Sequence, residues 1–94
     1  MRVKKGIDQI KNLFDLRGKV AIVTGGSGGF GRAAAVGLAV QGADVAVTSR
    51  TLSSLEETAG EIRKQGRKAL PISCDVTDPK SVEQMVNQTV KEFG

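Results

Sequence analysis

The sequence predicts an α/β fold built on a parallel, doubly wound sheet, with only its first β-α-β-α-β-α half present. Three observations carry that expectation. Short apolar runs at 20–23, 45–48 and 69–73 alternate with stretches of helical spacing, the pattern of parallel strands joined by right-handed crossovers. A glycine cluster, Thr24-Gly25-Gly26-Ser27-Gly28-Gly29-Phe30-Gly31, separates the first run from the first helical stretch. The composition is globular, with 39% apolar and 26% charged residues in 94, enough for one small domain with a modest core.

The elements follow in order. Leu16-Arg17-Gly18-Lys19 turns the chain into Val20-Ala21-Ile22-Val23, a nearly continuous apolar run that suits a strand covered on both faces. Residues 32–41 are alanine-rich, with Val36, Leu38 and Val40, and read as a helix. Gly42-Ala43-Asp44 ends it, and Val45-Ala46-Val47-Thr48 reads as the second strand. Thr51 or Ser53 is suited to cap the next helix, whose apolar face is Leu55, Thr58, Ala59 and Ile62 and which closes at Gln65-Gly66. Ala69–Ser73 is the third strand, and Pro71 places it at an edge or a strand start. Asp78-Pro79 starts the last helix, with an N-cap acceptor followed by proline in the first turn. Val82, Met85, Val86, Val90 and Phe93 form its apolar stripe.

Composition narrows the chemistry. Histidine, tyrosine and tryptophan are absent, so the chain supplies neither an imidazole base nor a phenolic acid, and no metal site or catalytic residue is expected in it. Cys74 is the single cysteine, which rules out an intrachain disulfide and a cysteine cluster. The net charge of +4 sits in residues 1–19, where six basic side chains face two acidic ones; residues 20–94 carry eight of each. A basic leader (1–18) on a nearly neutral body (19–94, net +1) argues against a nucleic-acid footprint, which needs basic charge on the domain itself. Ile7, Ile10, Leu13 and Phe14 allow a weak amphipathic leader helix over 7–16. The sequence contains no apolar run long enough to span a membrane, and a cytoplasmic protein is expected.

The glycine cluster lies in the context that gives it meaning, after a strand and opening a helix. There, a residue without a Cβ permits a tight turn, another lets backbone approach a pyrophosphate, and a third lets helix and strand pack closely. Gly25, Gly29 and Gly31 suit these roles, and Ser27 adds a hydroxyl donor beside the N–H groups of the helix start. A lysine followed by serine or threonine is missing, so the loop is not a P-loop. The second strand ends Thr48-Ser49-Arg50, with no carboxylate to hold a ribose 2′-hydroxyl. Arg50 would attract a 2′-phosphate with its fork of donors, and Ser49 could add a hydrogen bond. The expected cofactor is therefore NADP rather than NAD.

These motifs resemble the N-terminal part of a classical short-chain dehydrogenase/reductase, whose doubly wound domain is of Rossmann type. The family's Thr-Gly-x-x-x-Gly-x-Gly motif maps onto Thr24, Gly25, Gly29 and Gly31. The lead-in Leu16–Val23 and the stretch Cys74-Asp75-Val76-Thr77-Asp78 are also typical, and the resemblance covers residues 13–94. It implies that Asp75 holds the adenine amino group and that Val76 packs on the ring. It extends the cofactor-binding set to Gly25, Ser27, Gly28, Gly29, Phe30, Gly31, Ser49, Arg50, Asp75 and Val76. The wording of residues 11–31 is most similar to gluconate 5-dehydrogenase and related polyol or 3-oxoacyl reductases.

Two departures matter. Gly28 stands where many NADP-dependent members carry a second basic residue, so the preference rests on Arg50. Gly28 also satisfies the extended members' Thr-Gly-x-x-Gly-x-x-Gly pattern, although Asp75–Asp78 and the lead-in remain those of classical members. The family's Asn-Asn-Ala-Gly segment, catalytic serine and Tyr-x-x-x-Lys would all fall beyond Gly94. The resemblance thus implies the cofactor-binding portion of a homo-oligomeric NADP-dependent oxidoreductase that interconverts a secondary alcohol and a ketone, with the 94 residues alone inactive. The competing reading is a non-catalytic nucleotide-binding or interaction module.

Overall fold

The structure is a computed structural model and describes residues 15–94. The expectation of a leader helix over 7–16 falls mostly outside these residues. Three strands, β1 (Val20–Thr24), β2 (Asp44–Ser49) and β3 (Ala69–Ser73), alternate with three helices, α1 (Gly29–Val40), α2 (Leu52–Lys64) and α3 (Pro79–Phe93). The sheet is parallel throughout, in the order β1-β2-β3. This is the predicted half of a doubly wound fold.

The register explains the two layers. Ala21 lies opposite Val45, and Val45 opposite Ala69; Ile22 lies opposite Ala46, and Ala46 opposite Leu70. Side chains alternate between faces along a strand, so these two rows face opposite sides. On the first side, Ala35 and Ala39 of α1 and Leu55 and Ile62 of α2 pack with Val45 and Val47, and Ala21, Val23 and Leu16 close the edge. Alanine on α1 allows the helix to lie close to the sheet. On the second side, Met85 of α3 packs on Ala46, Ile72 and Cys74, with Val82 and Phe93 at the margin.

The expectation that Val20–Val23 is covered on both faces holds for one face only. Val20 and Ile22 remain 44% and 42% exposed, because α3 packs against β3 and does not reach across to β1. The stripe on α3 divides for the same reason. Met85 and Thr89 are buried, whereas Val86 and Val90 are exposed. Thr89 can enter the buried face because its hydroxyl donates to the carbonyl of Met85, one turn back.

Local signals largely place the helix ends. Asp78 accepts a hydrogen bond from the N–H of Lys80 at 3.1 Å, with Pro79 beginning the helix. Gln65 caps α2 and Gly66 turns away with φ +76°. Thr51 is the N-cap residue of α2, but its side chain makes no cap bond. The hydroxyl of Ser54 donates instead to the Thr51 carbonyl at 2.7 Å. Helix α1 begins at Gly29 rather than at residue 32, so the last glycines of the cluster are already its first turn. Pro71 lies on β3, an edge strand of the described sheet, as the sequence requires.

At the N-terminal end of the strands, Asp44 is a junction. Its Oδ1 accepts from the Lys68 N–H at 2.9 Å and from Arg67 at 3.1 and 3.2 Å, while its own N–H donates to the Lys19 carbonyl. Asp44 therefore joins the starts of all three strands, β3 through its carboxylate and β1 through its backbone N–H. Among the described residues, no helix is long and apolar enough to cross a membrane.

Candidate functional site

The opposite end of the sheet, at the carboxyl ends of the strands, carries the candidate site. A cleft of about 360 Å³ opens there, lined by Thr24, Gly25, Thr48, Ser49, Arg50, Cys74 and Val76. Each strand contributes at its C-terminus, where open α/β sheets bind ligands. A larger depression near Arg17, Gln41 and Arg67 lies at the other end, away from the glycine loop.

The loop is shaped by a few contacts. Gly25 and Gly29 have φ of +68° and +55°, in the left-handed region that side chains disfavour. Gly31 is needed for another reason. A Cβ there would overlap the carbonyl oxygen of Gly25 and lie 2.8 Å from its carbonyl carbon. The close approach is thus between the first turn of α1 and the loop's own backbone, rather than between helix and strand. Gly28, the N-cap residue, is extended, with φ −176° and open space around it.

Gly26 is buried and holds the loop to the sheet. Its N–H donates to the Thr48 carbonyl at 3.1 Å, and its carbonyl accepts from the Thr58 hydroxyl at 2.7 Å. A Cβ on Gly26 would lie 3.0 Å from that of Val47. The sequence reading missed both Gly26 and Thr58. Thr58 sits on the apolar face of α2, where periodicity marks it only as core.

The start of α1 has no side-chain cap and no acidic residue in its first turn. Its leading N–H groups are available to an anion, as the sequence expectation requires. Phe30, on that turn, is 89% exposed and does not line the cleft. Ser27 is half-buried in the loop.

The β2 terminus brings the remaining candidates together. The hydroxyl of Ser49 donates to the Thr51 carbonyl at 3.0 Å and accepts from the Thr51 N–H at 3.2 Å. Its proton serves the turn, which leaves Arg50 as the outward-reaching donor. The Arg50 carbonyl accepts from Ser73 at 2.9 Å, so the arginine backbone is fixed to β3. Its guanidinium lies 3.6 Å from Asp75. Val76 is exposed at the cleft wall.

Asp75 is held by its own turn. Oδ1 accepts from the Thr77 hydroxyl at 2.6 Å and from the Thr77 N–H at 3.0 Å, and the Asp75 N–H donates to Ser81 at 2.9 Å. The Thr77 hydroxyl and then its N–H hold the carboxyl below the usual carboxylate range; burial opposes them, and the Arg50 charge adds a smaller lowering effect. It presents a fixed anion and acceptor beside the cleft.

Thr48 is a further residue that sequence reading passed over. It is fully buried at the cleft, and its hydroxyl has no hydrogen-bond partner among the described residues. Buried hydroxyls are ordinarily paired. A dinucleotide fits these residues: an uncapped helix start behind left-handed glycines, a cation at the end of β2, a fixed carboxylate after β3, and an orphaned hydroxyl between them.

Comparison with known proteins agrees with this geometry. Residues 19–94 match the family described as short chain dehydrogenase. An uncharacterized oxidoreductase of Mycobacterium tuberculosis is 42% identical over 85 residues, covering 90% of this chain and 32% of the relative. A sorbose reductase of Candida albicans is also 42% identical over 85 residues, covering 90% of this chain and 30% of its own length. The crystal structure of a short-chain type dehydrogenase/reductase from Mycobacterium marinum superposes with a TM-score of 0.85 at 48% identity, over 88% of this chain and 33% of that one. The chain spans about a third of the length of the relatives it matches.

Proposed function

The chain belongs to the short-chain dehydrogenase family of oxidoreductases, and from that premise we propose that residues 19–94 bind NADP in the cleft at the strand ends. The observation that carries the cofactor choice is Arg50. It is an exposed guanidinium at the end of β2, with no carboxylate on the same strand end. A 2′-phosphate would meet a forked donor there, whereas a bare ribose would find no carboxylate at that end of β2.

The residues divide the cofactor among them. The start of α1 and the loop from Gly25 to Gly31 face the pyrophosphate, Ser27 adds a donor, and Phe30 lies at the rim. Ser49 shapes the turn that presents Arg50. Asp75 accepts the adenine amino group and Val76 packs on the ring. When bound, NADP supplies or accepts a hydride; this chain's residues bind and orient its adenosine half.

The whole protein then interconverts a small secondary alcohol and its ketone as a homo-oligomer. The sorbose reductase relative supports a polyol-type substrate, in line with the similarity of residues 11–31 to polyol reductases. Residues 1–18 form a basic leader, and the reduced, buried thiol of Cys74 suits the cytoplasm.

Calorimetric titration of the chain with NADPH and NADH tests the cofactor reading. Tighter binding of NADPH is expected, and equal affinities overturn it. The reading frame beyond codon 94 tests the chemistry. A continuation carrying Asn-Asn-Ala-Gly and Tyr-x-x-x-Lys, whose product reduces ketones with NADPH, supports the enzyme. A frame without them favours a non-catalytic nucleotide-binding or interaction module.

A further inference from the structure

We propose that Asp75 is a cofactor-selectivity residue that moderates the preference for 2′-phosphorylated nucleotides by competing with the phosphate for Arg50. This inference rests on the NADP reading above and adds to it a residue that weakens, rather than creates, the preference.

The geometry gives the argument. Nη2 of Arg50 lies 3.6 Å from Oδ1 of Asp75, where the chain leaves β2 and β3. The carboxylate is anchored by the hydroxyl and N–H of Thr77 and, through its own N–H, by Ser81. The arginine backbone is pinned by Ser73, but its side chain is about three-quarters exposed. The partners are therefore unequal, a fixed anion and a mobile cation. Without ligand, the cation rests toward the anion. A 2′-phosphate must draw the guanidinium away from Asp75 and accept a negative charge nearby. Both effects lower affinity for the phosphorylated ligand and leave a ligand without that phosphate untouched. Oδ1 makes the contacts with Thr77 and Arg50, and Oδ2 makes none among the described residues, which leaves it as an acceptor for a base. One carboxylate can thus serve the adenine and restrain the arginine at once.

At 3.6 Å the pair is an ion pair without a hydrogen bond, and it is open to water. Exposed pairs of this kind are modest, so the expected effect is about two- to fivefold in affinity.

The experiment titrates the chain by calorimetry with 2′,5′-ADP and with 5′-AMP, which differ only by the 2′-phosphate. The adenine is common to both, so their affinity ratio cancels whatever Asp75 does for the base. Asp75→Asn keeps an acceptor for Thr77 and should raise the ratio about two- to fivefold at low salt. Asp75→Ser is measured beside it, in case the amide disturbs the turn. In an Arg50→Met background the same substitutions should raise the ratio by clearly less, because only the direct repulsion between carboxylate and phosphate is then relieved. A ratio that stays constant or falls in both Asp75 variants overturns the proposal. So does a rise of equal size without Arg50, since competition would then not be its cause. A ratio of one or less in the unaltered chain overturns the NADP reading instead; the role of Asp75 is judged on the change between variants, which is read in either case.

Discussion

The hydroxyl of Thr58, fully buried in α2, donates a 2.7 Å hydrogen bond to the carbonyl of Gly26, 32 residues earlier in the glycine loop. The same glycine donates to the Thr48 carbonyl at the end of β2. The loop facing the candidate cleft is therefore suspended from both the second helix and the second strand. Its shape depends on the crossover that brings them together, as well as on its glycines.

Thr58→Val removes the donor while keeping the volume, and leaves the Gly26 carbonyl buried without its partner. We expect a loss of about 1–3 kcal/mol in urea denaturation, together with weaker nucleotide binding. Thr58→Ser, which restores the donor, should recover most of the binding. Unchanged midpoints for both variants would show that the bond carries no stability.

The glycines should divide sharply. At Gly31, even alanine places a Cβ into the Gly25 carbonyl. Gly31→Ala is expected to abolish NADPH binding, seen by calorimetry, with the fold loosened around the loop. Gly28 has open space and an extended backbone. Gly28→Ala should leave folding stability within about 0.5 kcal/mol of the original, as surface changes usually do. Comparable damage from both substitutions would contradict the contact assigned to Gly31.

Arg50→Asp should move cofactor preference from NADP toward NAD. Losing a hydrogen bond to a charged phosphate costs about 1.5–3 kcal/mol, or roughly tenfold to a hundredfold in NADPH affinity. The new carboxylate would also repel the phosphate and offer a ribose acceptor. Titration with both reduced cofactors measures the change, and an unaltered ratio would remove Arg50 from the phosphate site.

Acid should loosen the opposite end of the sheet. The Lys68 N–H, and then the Arg67 guanidinium, hold the Asp44 carboxyl below its ordinary range, with burial opposing. A carboxyl with a lowered folded pKa stabilises the fold fully above its unfolded value near 3.8, and that contribution is lost as pH falls through the folded value. In Asp44→Asn, the decline in thermal midpoint below about pH 4 should therefore be shallower than in the original chain. At pH 7 the substitution should cost about 1.5 kcal/mol, the low end for bonds to a charged group because the site is partly open to water. Parallel declines in the two proteins would assign the acid sensitivity elsewhere.

What the sequence determined by itself is local. Asp78 and Pro79 define a helix start through one side-chain bond and one fixed dihedral angle, and both lie within three residues. Gly25 and Gly29 mark left-handed positions for the same kind of reason. The alternation of apolar runs with helical spacing was sufficient for the parallel order. Arg50, standing alone at a strand end, was legible because a missing carboxylate is itself a sequence observation. The tertiary structure decided what lies opposite what. Periodicity shows that α3 has an apolar stripe, but not that Met85 and Thr89 are buried while Val86 and Val90 face outward. That depends on how far the helix reaches over the sheet. Nor could spacing pair Arg50 with Asp75, Thr58 with Gly26, or Asp44 with Arg67, since each pair meets only after a crossover has been completed. Short-range dihedral and capping preferences act within a turn of chain, whereas these contacts exist only once the strands are in register.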